Sequence, residues 1–225
     1  MTSEILVRRN RPQTSEETLA TFKDARTGFV VDAMGRRGAL DYRIKAVTKK
    51  SAFFGRALTV RVRPWDNLAA HVALEHIALG DVLMITAGGF TDASIIGEKY
   101  LGMARNKGAV AVVLDGMVRD ISNYDQIGIP VFALGITPNS SHKDGFGEIG
   151  LPISMAGVAV NSGDVVVGDE DGVVVVPHYL AADTAAKLAA ITAKEIEMFN
   201  AIAAGGEKPA AMAAISTNAP IRYVD

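Results

Sequence analysis

The chain has 225 residues, no cysteine, 49% hydrophobic and 21% charged residues, and a formal net charge of −2. Such a composition folds around a sizeable core rather than staying disordered, fits one large domain, and excludes disulfides, thiolate metal sites and cysteine nucleophiles. Acidic and basic residues are mixed throughout, no apolar run reaches the length of a membrane span, and residues 1–13 lack the apolar stretch of a signal peptide, so no nucleic-acid or membrane partner is expected and the expected location is cytoplasmic.

Residues 1–13 read as an arm. Thr14-Ser15-Glu16-Glu17 supplies an N-cap and an acidic first turn, which predicts a helix to about Ala25 with Leu19 and Phe22 on one face. Residues 28–34 predict a second, short helix with Asp32 as a candidate cap, ended near Gly35 or Gly38. Residues 42–50 form a polar connector with a strand-like patch. Residues 53–62 alternate, which predicts a strand with one buried face. Pro64-Trp65-Asp66-Asn67 breaks that strand; Trp65 anchors a loop, and Asp66 or Asn67 caps a helix over residues 68–78.

After a turn at Gly80-Asp81, residues 82–85 form an apolar strand buried on both sides, with Gly88-Gly89 at its carboxyl end. Residues 93–106 predict a helix closed by Gly108, and residues 109–114 a second fully apolar strand. Residues 121–126 read as a short helix or turn and residues 130–134 as a third strand. This β-α-β-α-β series predicts a partly parallel sheet with right-handed crossovers.

The remainder changes character. Residues 137–150 read as a loop, with His142 either lining a pocket or simply solvated. Short strands follow at 153–160 and 164–167. Asp169-Glu170-Asp171-Gly172 clusters three carboxylates, but Asp-Gly is above all a hairpin signal, and residues 173–176 supply the returning strand. A long amphipathic helix runs from about Leu180 to Ala203, ended by Gly205-Gly206, and the Ala-rich tail suits packing on a neighbouring subunit. One domain is expected over residues 1–225, with the arm at 1–13 and the C-terminal helix and tail at 180–225.

The stretch from Gly97-Glu98-Lys99-Tyr100 to Asp115-Gly116-Met117-Val118-Arg119-Asp120 carries the chemistry. A permanent cation and a carboxylate stand side by side beyond a buried strand. A second carboxylate, Glu98, opens a helix whose free N–H groups suit an oxyanion. Ligands gather at the carboxyl ends of parallel strands, so Gly88-Gly89, Gly97-Glu98 and 115–120 are expected to converge on one small acid. By spacing alone, Arg119-Asp120 reads equally as a solvated turn pair. The nucleotide signatures GxGxxG and GxxxxGK[ST] are absent, as are GxSxG and HExxH. His71, His76, His142 and His178 form no metal-binding pair, and His71 and His76 read as packing residues.

Several stretches in order carry a family resemblance: Val31-Asp32-Ala33-Met34, Gly55-Arg56-Ala57-Leu58-Thr59-Val60, Gly80-Asp81-Val82-Leu83, Gly97-Glu98, Asp115 to Asp120, Ile129 to Ala133, and Gly168 to Pro177. Through them the chain resembles the RraA-like family, which includes class II 4-hydroxy-4-methyl-2-oxoglutarate aldolases and the regulator of ribonuclease E activity. The resemblance implies an α/β fold, layered as an α/β/β/α sandwich of the phosphohistidine-swivelling type. It also implies a homotrimer or dimer of trimers with an inter-subunit site.

For the site, the resemblance implies that Gly97, Glu98, Lys99 and Tyr100 bind substrate, with Glu98 beside a proton-carrying water. Arg119 holds a 2-keto acid, and Asp120 holds a divalent cation, Mg2+ or Mn2+, largely through waters. Glu195 or Glu197 of a neighbouring C-terminal helix is a further candidate. The implied activity is metal-dependent cleavage of a 4-hydroxy-2-keto acid to pyruvate through a stabilised enolate, with oxaloacetate decarboxylation by the same route. Alternatives within the resemblance are a non-catalytic regulator binding a protein, and another metal-dependent lyase or hydratase acting on a sugar-derived acid. Thr86-Ala87 stands where many relatives carry an Asp, which bears on the substrate rather than on the Arg-Asp pair.

Overall fold

The structure, a computed structural model, describes residues 4–224. The expected arm and tail extend over residues 1–3 and 225, which lie outside the described residues. The arm is built into the sheet. β1 (Ile5–Val7) is an edge strand, and Arg11 reaches Asp81 at 3.2 Å with both side chains nearly buried.

α1 (Glu16–Ala20) is capped by Ser15, whose Oγ accepts from Thr18 N–H at 3.2 Å. It ends earlier than the expected Ala25, because residues 21–24 tighten into turns. α2 (Thr27–Ala33) is not capped by Asp32. Asp169 does it from the distant hairpin, accepting from Thr27 N–H at 2.8 Å and Thr27 Oγ1 at 2.7 Å. The Asp169-Glu170-Asp171-Gly172 turn is thus a hairpin with a helix cap on it.

β2 (Lys45–Ala46) precedes β3 (Phe53–Val62), which is buried on both faces over most of its length rather than on one. The excess burial arises because β3 is central. Its residues 56–61 pair with β4 (Asp81–Thr86), and two further strands share its other edge. α3 (Leu68–Ala73) lies between β3 and β4 and closes in a 3-10 turn at Leu74–His76.

The expected helix over 93–106 divides. Residues Ser94–Ile96 form β5, and α4 (Glu98–Lys107) begins only after Gly97. Gly108 ends α4 at φ 106°. β6 (Ala111–Leu114) and β7 (Met117–Val118) lead into a 3-10 turn and α5 (Tyr124–Ile127). Then come β8 (Val131–Ala133), β9 (Gly135–Ile136) and β10 (Gly147–Ile149), the last of these inside what the sequence reads as loop. The hairpins β11 (Ile153–Met155) with β12 (Val158–Val160), and β13 (Val165–Gly168) with β14 (Val173–Val176), precede α6 (Ala181–Ala203) and α7 (Ala210–Thr217).

β3, β4, β6 and β8 run parallel, as the β-α-β-α-β pattern requires, and β2 closes the β8 edge antiparallel. On the other side β3 pairs with β10 through residues 60–62 and with β13 through residues 53–56. β5, β7 and β9 make a separate small parallel sheet beyond the carboxyl ends of β4, β6 and β8.

The layering follows from side-chain alternation. Leu83, Ile85, Val112 and Leu114 point to α3 and α4, while Val82, Met84, Ala111 and Val113 point to the second β layer. In that layer Val166, Val173 and Val175 face inward, and Val165, Val167, Val174 and Val176 face α1, α2 and α6. The result is α/β/β/α. At about 25 cal/mol per Å² of apolar surface, continuous valine runs favour this double-sided burial over a half-exposed sheet.

Candidate active-site cleft

Two short segments meet to form the site. Gly97 is the N-cap residue of α4, extended at φ −141° and ψ −173°. The N–H groups of Glu98, Lys99 and Tyr100 have no earlier turn to bond to, and none has a backbone partner among the described residues. They concentrate positive partial charge at one point, where an anion is best held.

β7 delivers Arg119 and Asp120 beside that helix start. Arg119 N–H donates to Ile96 O at 3.1 Å, fixing the tip of β7 to β5. Its Nη1 donates to Ser140 Oγ at 2.5 Å, and its Nε lies 3.3 Å from Asp120 Oδ2. Asp120 takes a left-handed backbone, φ 56° and ψ 42°, which Asp tolerates better than most residues. The side chains of Arg119 and Asp120 stay 39% and 55% exposed, so both face water rather than a closed core.

The cleft between these segments has a volume of about 360 Å³. Of the residues expected there, Gly97, Lys99, Tyr100, Arg119 and Asp120 line it. The Tyr100 hydroxyl is buried and donates to Ala70 O at 3.0 Å. Glu98 does not line the cleft; Asn123 Nδ2 donates to its Oε2 at 3.0 Å. Neither Glu195 nor Glu197 lines the cleft of its own chain.

The structure adds residues that sequence reading missed. Asn67, the N-cap residue of α3, and His71 within α3 enter from one side, and Ser140, Ser141 and Lys143 from the 137–146 loop. One local signal existed: Asn67 and His71 are four apart and so share a helix face. His71 packs as well, edge-on to the Tyr100 ring at 5.6 Å. His142 is exposed, and its backbone rather than its ring ties the loop down.

Gly88-Gly89 does not converge on this cleft. It lines a separate hollow with Asp41, Arg43 and Asp115. Asp115 explains why: it accepts from Thr86 Oγ1 at 2.8 Å and Ala87 N–H at 2.6 Å, folding the turn away from β7. Burial pushes the Asp115 carboxyl above its usual range, against the lowering pull of those hydrogen bonds.

Lys99, Arg119 and Lys143 outnumber Asp120 among the charges lining the cleft, so it favours an anion. A larger hollow of about 540 Å³ beside α2 and α6 carries balanced charges, Asp32 and Asp183 against Arg37 and Lys187. Burial, then Lys143, lowers the His71 pKa. Below the cleft, Tyr124 is 1% exposed and its hydroxyl has no hydrogen-bond partner among the described residues. Burial and then Asp120 push its pKa up.

Among the described residues, no three His, Asp or Glu side chains converge as a metal cage. The oxygen donors present, Asp120 in the cleft and Glu98 at the start of the adjoining α4, suit a hard cation that keeps most of its waters. No helix among the described residues is long and apolar enough to cross a membrane.

Comparison with known proteins identifies relatives of one family. The family model described as RraA-like: Aldolase/RraA matches residues 27–175. A Halalkalibacterium halodurans protein provisionally named 4-hydroxy-4-methyl-2-oxoglutarate aldolase is 37% identical over 73% of this chain and 79% of its own length. A Thermus thermophilus protein named 4-hydroxy-4-methyl-2-oxoglutarate aldolase is 34% identical over 69% of this chain and 94% of its own. Among solved structures, the RNA-processing inhibitor RraA from Thermus thermophilus superposes with a TM-score of 0.64 at 33% identity, covering 68% of this chain and 93% of that one.

Proposed function

This chain belongs to the RraA-like family, and we propose that it cleaves a 4-hydroxy-2-keto acid of the 4-hydroxy-4-methyl-2-oxoglutarate type to pyruvate. One observation carries the reading: Arg119 and Asp120 stand beside the unpaired N–H groups that open α4, in a cleft whose charge favours an acid. Two relatives bearing that aldolase name at over 30% identity support it.

In the reaction the C3–C4 bond breaks, and its electron pair moves toward the C2 carbonyl oxygen. The C4 hydroxyl loses its proton as C4 becomes a carbonyl, and C3 gains a proton to give pyruvate. The α4 N–H groups and the Arg119 fork hold the keto-acid end, and the fixed Arg119 charge opposes the negative charge that develops on the C2 oxygen. Ser140 keeps the Arg119 fork from swinging into solvent. Lys143 and Lys99 are placed to take the anionic far end of a diacid.

Asp120 would hold a divalent cation, most suitably Mg2+ or Mn2+, which supplies Lewis-acid polarisation of the C2 carbonyl. Glu98 has Oε2 tied by Asn123 and is proposed to use Oε1 to steady a water that carries the proton. Oxaloacetate needs the same electron flow without the C4 hydroxyl step, so its decarboxylation belongs to the same proposal. The assembly proposed is a trimer or a dimer of trimers, with Glu195 or Glu197 of a neighbouring copy as a further contributor.

The test is a coupled pyruvate-release assay over 4-hydroxy-2-keto acids and oxaloacetate, with Mg2+, Mn2+ or chelator. Release that chelator abolishes is expected. Absence of release on every substrate sinks the aldolase reading and favours a regulator like the RNA-processing inhibitor whose fold this chain shares.

A further inference from the structure

Asp66 is 2% exposed, and both of its carboxylate oxygens are engaged. Oδ1 accepts from Leu68 N–H at 2.9 Å, in the first turn of α3. Oδ2 accepts from Asp144 N–H and Gly145 N–H, each at 2.8 Å. One buried carboxylate therefore joins the helix that carries Asn67 and His71 to the loop that carries Lys143.

The backbone around it is braided to the same end. His142 N–H donates to Trp65 O at 2.7 Å, and Asn67 N–H donates to His142 O at 3.0 Å. Trp65 sits at φ 64°, an unfavourable place for a bulky aromatic residue, with its ring 5.5 Å from that of Phe90. From the loop side, a Cβ on Gly145 would stand 2.6 Å from Asp66 Cγ, so the contact needs a glycine there.

We propose that Asp66 is a positioning residue of the cleft: it sets the separation of the α3 wall from the Lys143 wall, and so which far ends of a keto diacid fit. This rests on the aldolase reading for the substrate class. Asp66 itself touches no substrate.

The geometry separates this role from the chemistry. The earlier part of the loop is tied to β5 independently of Asp66. Ser94 N–H and Oγ both donate to Asn139 O, at 3.0 and 2.6 Å, and Ser141 Oγ donates to Ser94 O at 2.8 Å. Loosening Asp66 thus frees residues 143–145 while His142 keeps its backbone bonds and Ser140 keeps its bond to Arg119. Binding should suffer and the bond-breaking step should not.

Two variants attack the contact from opposite sides. Asp66→Asn offers one acceptor where two are used, so either Leu68 or the Asp144–Gly145 pair faces an NH2 group. Gly145→Ala drives a methyl group into the carboxylate. Three measurements apply: amide exchange by NMR, the split between KM and kcat, and the affinity for 2-oxoglutarate by calorimetry. Both variants should speed exchange at Asp144 and Gly145 and leave β4 and β6 protected. Both should raise KM and weaken 2-oxoglutarate about tenfold, the scale of one lost hydrogen bond, with kcat within about threefold.

Faster exchange with unchanged KM and affinity would overturn the proposal. So would a fall in kcat together with faster exchange throughout the sheet, the mark of a merely structural carboxylate. A wild-type protein that binds 2-oxoglutarate but releases no pyruvate overturns the aldolase reading alone, because the affinity measurement still judges Asp66.

Discussion

Asp120 Oδ2 lies 2.8 Å from the point where a Cβ on Gly97 would stand, and Arg119 Cγ lies 3.2 Å from it. The backbone of Gly97 is extended, so any residue could adopt it, and only the space above its Cα demands glycine. Gly97→Ala is therefore expected to push Asp120 and Arg119 out of place without straining the chain. Because a misplacement of about 1 Å costs roughly a hundredfold in rate, kcat should fall by about that factor while the melting temperature barely moves. Steady-state kinetics and a thermal melt on one preparation check both halves.

Arg119→Ala and Asp120→Ala should each lower turnover by at least about a hundredfold, the usual loss when a preorganised electrostatic contact is removed. Arg119→Lys keeps the charge but loses the planar fork that reaches both Ser140 and a carboxylate, so it should recover little. Near-wild-type pyruvate release in either alanine variant would mean that the chemistry happens elsewhere.

Tyr124→Phe is expected to stabilise the protein. The hydroxyl is buried with no partner among the described residues, while the ring packs in the α3–α4 core. Removing an unsatisfied polar group and keeping the ring should gain about 1 kcal/mol, or about 2–4 °C in melting temperature for a chain of this size. A lower melting temperature would show that the hydroxyl has a partner, such as an ordered water.

His71 makes stability depend on pH. Its folded pKa is lowered by burial and by Lys143 from the usual 6.5, so the unfolded chain takes up the proton first. Stability is highest above pH 6.5 and is lost as pH falls below that value toward the lowered folded pKa. His71→Gln should flatten the acid side of the curve relative to wild type. Denaturant melts between pH 5 and 8 test this, and parallel curves for the two proteins would contradict it.

The order of elements was legible in the sequence because it rests on local signals. Valine-rich runs mark β13 and β14, Asp-Gly marks their turn, and Gly108 marks the end of α4. The Gly97-Glu98 stretch and the Arg119-Asp120 turn were equally visible as chemistry, since each is a short stretch with its own donors or charges, although the helix was expected from residue 93. Residues 94–96 read as helix because a stretch as short as Ser94-Ile95-Ile96 carries no period of its own, and only pairing with β7 makes it a strand.

Tertiary structure decided everything that depends on distant chain segments meeting. The 137–146 loop lies about seventy residues beyond Asn67 in sequence, yet Asp66 ties the two together through hydrogen bonds that no periodicity encodes. It also decided that Gly88-Gly89 turns away, because the partner that holds that turn, Asp115, comes from another strand. Sequence determined which residues are equipped for the chemistry; the burial of a few polar groups, each needing a partner wherever the chain can supply one, determined which of them share the cleft.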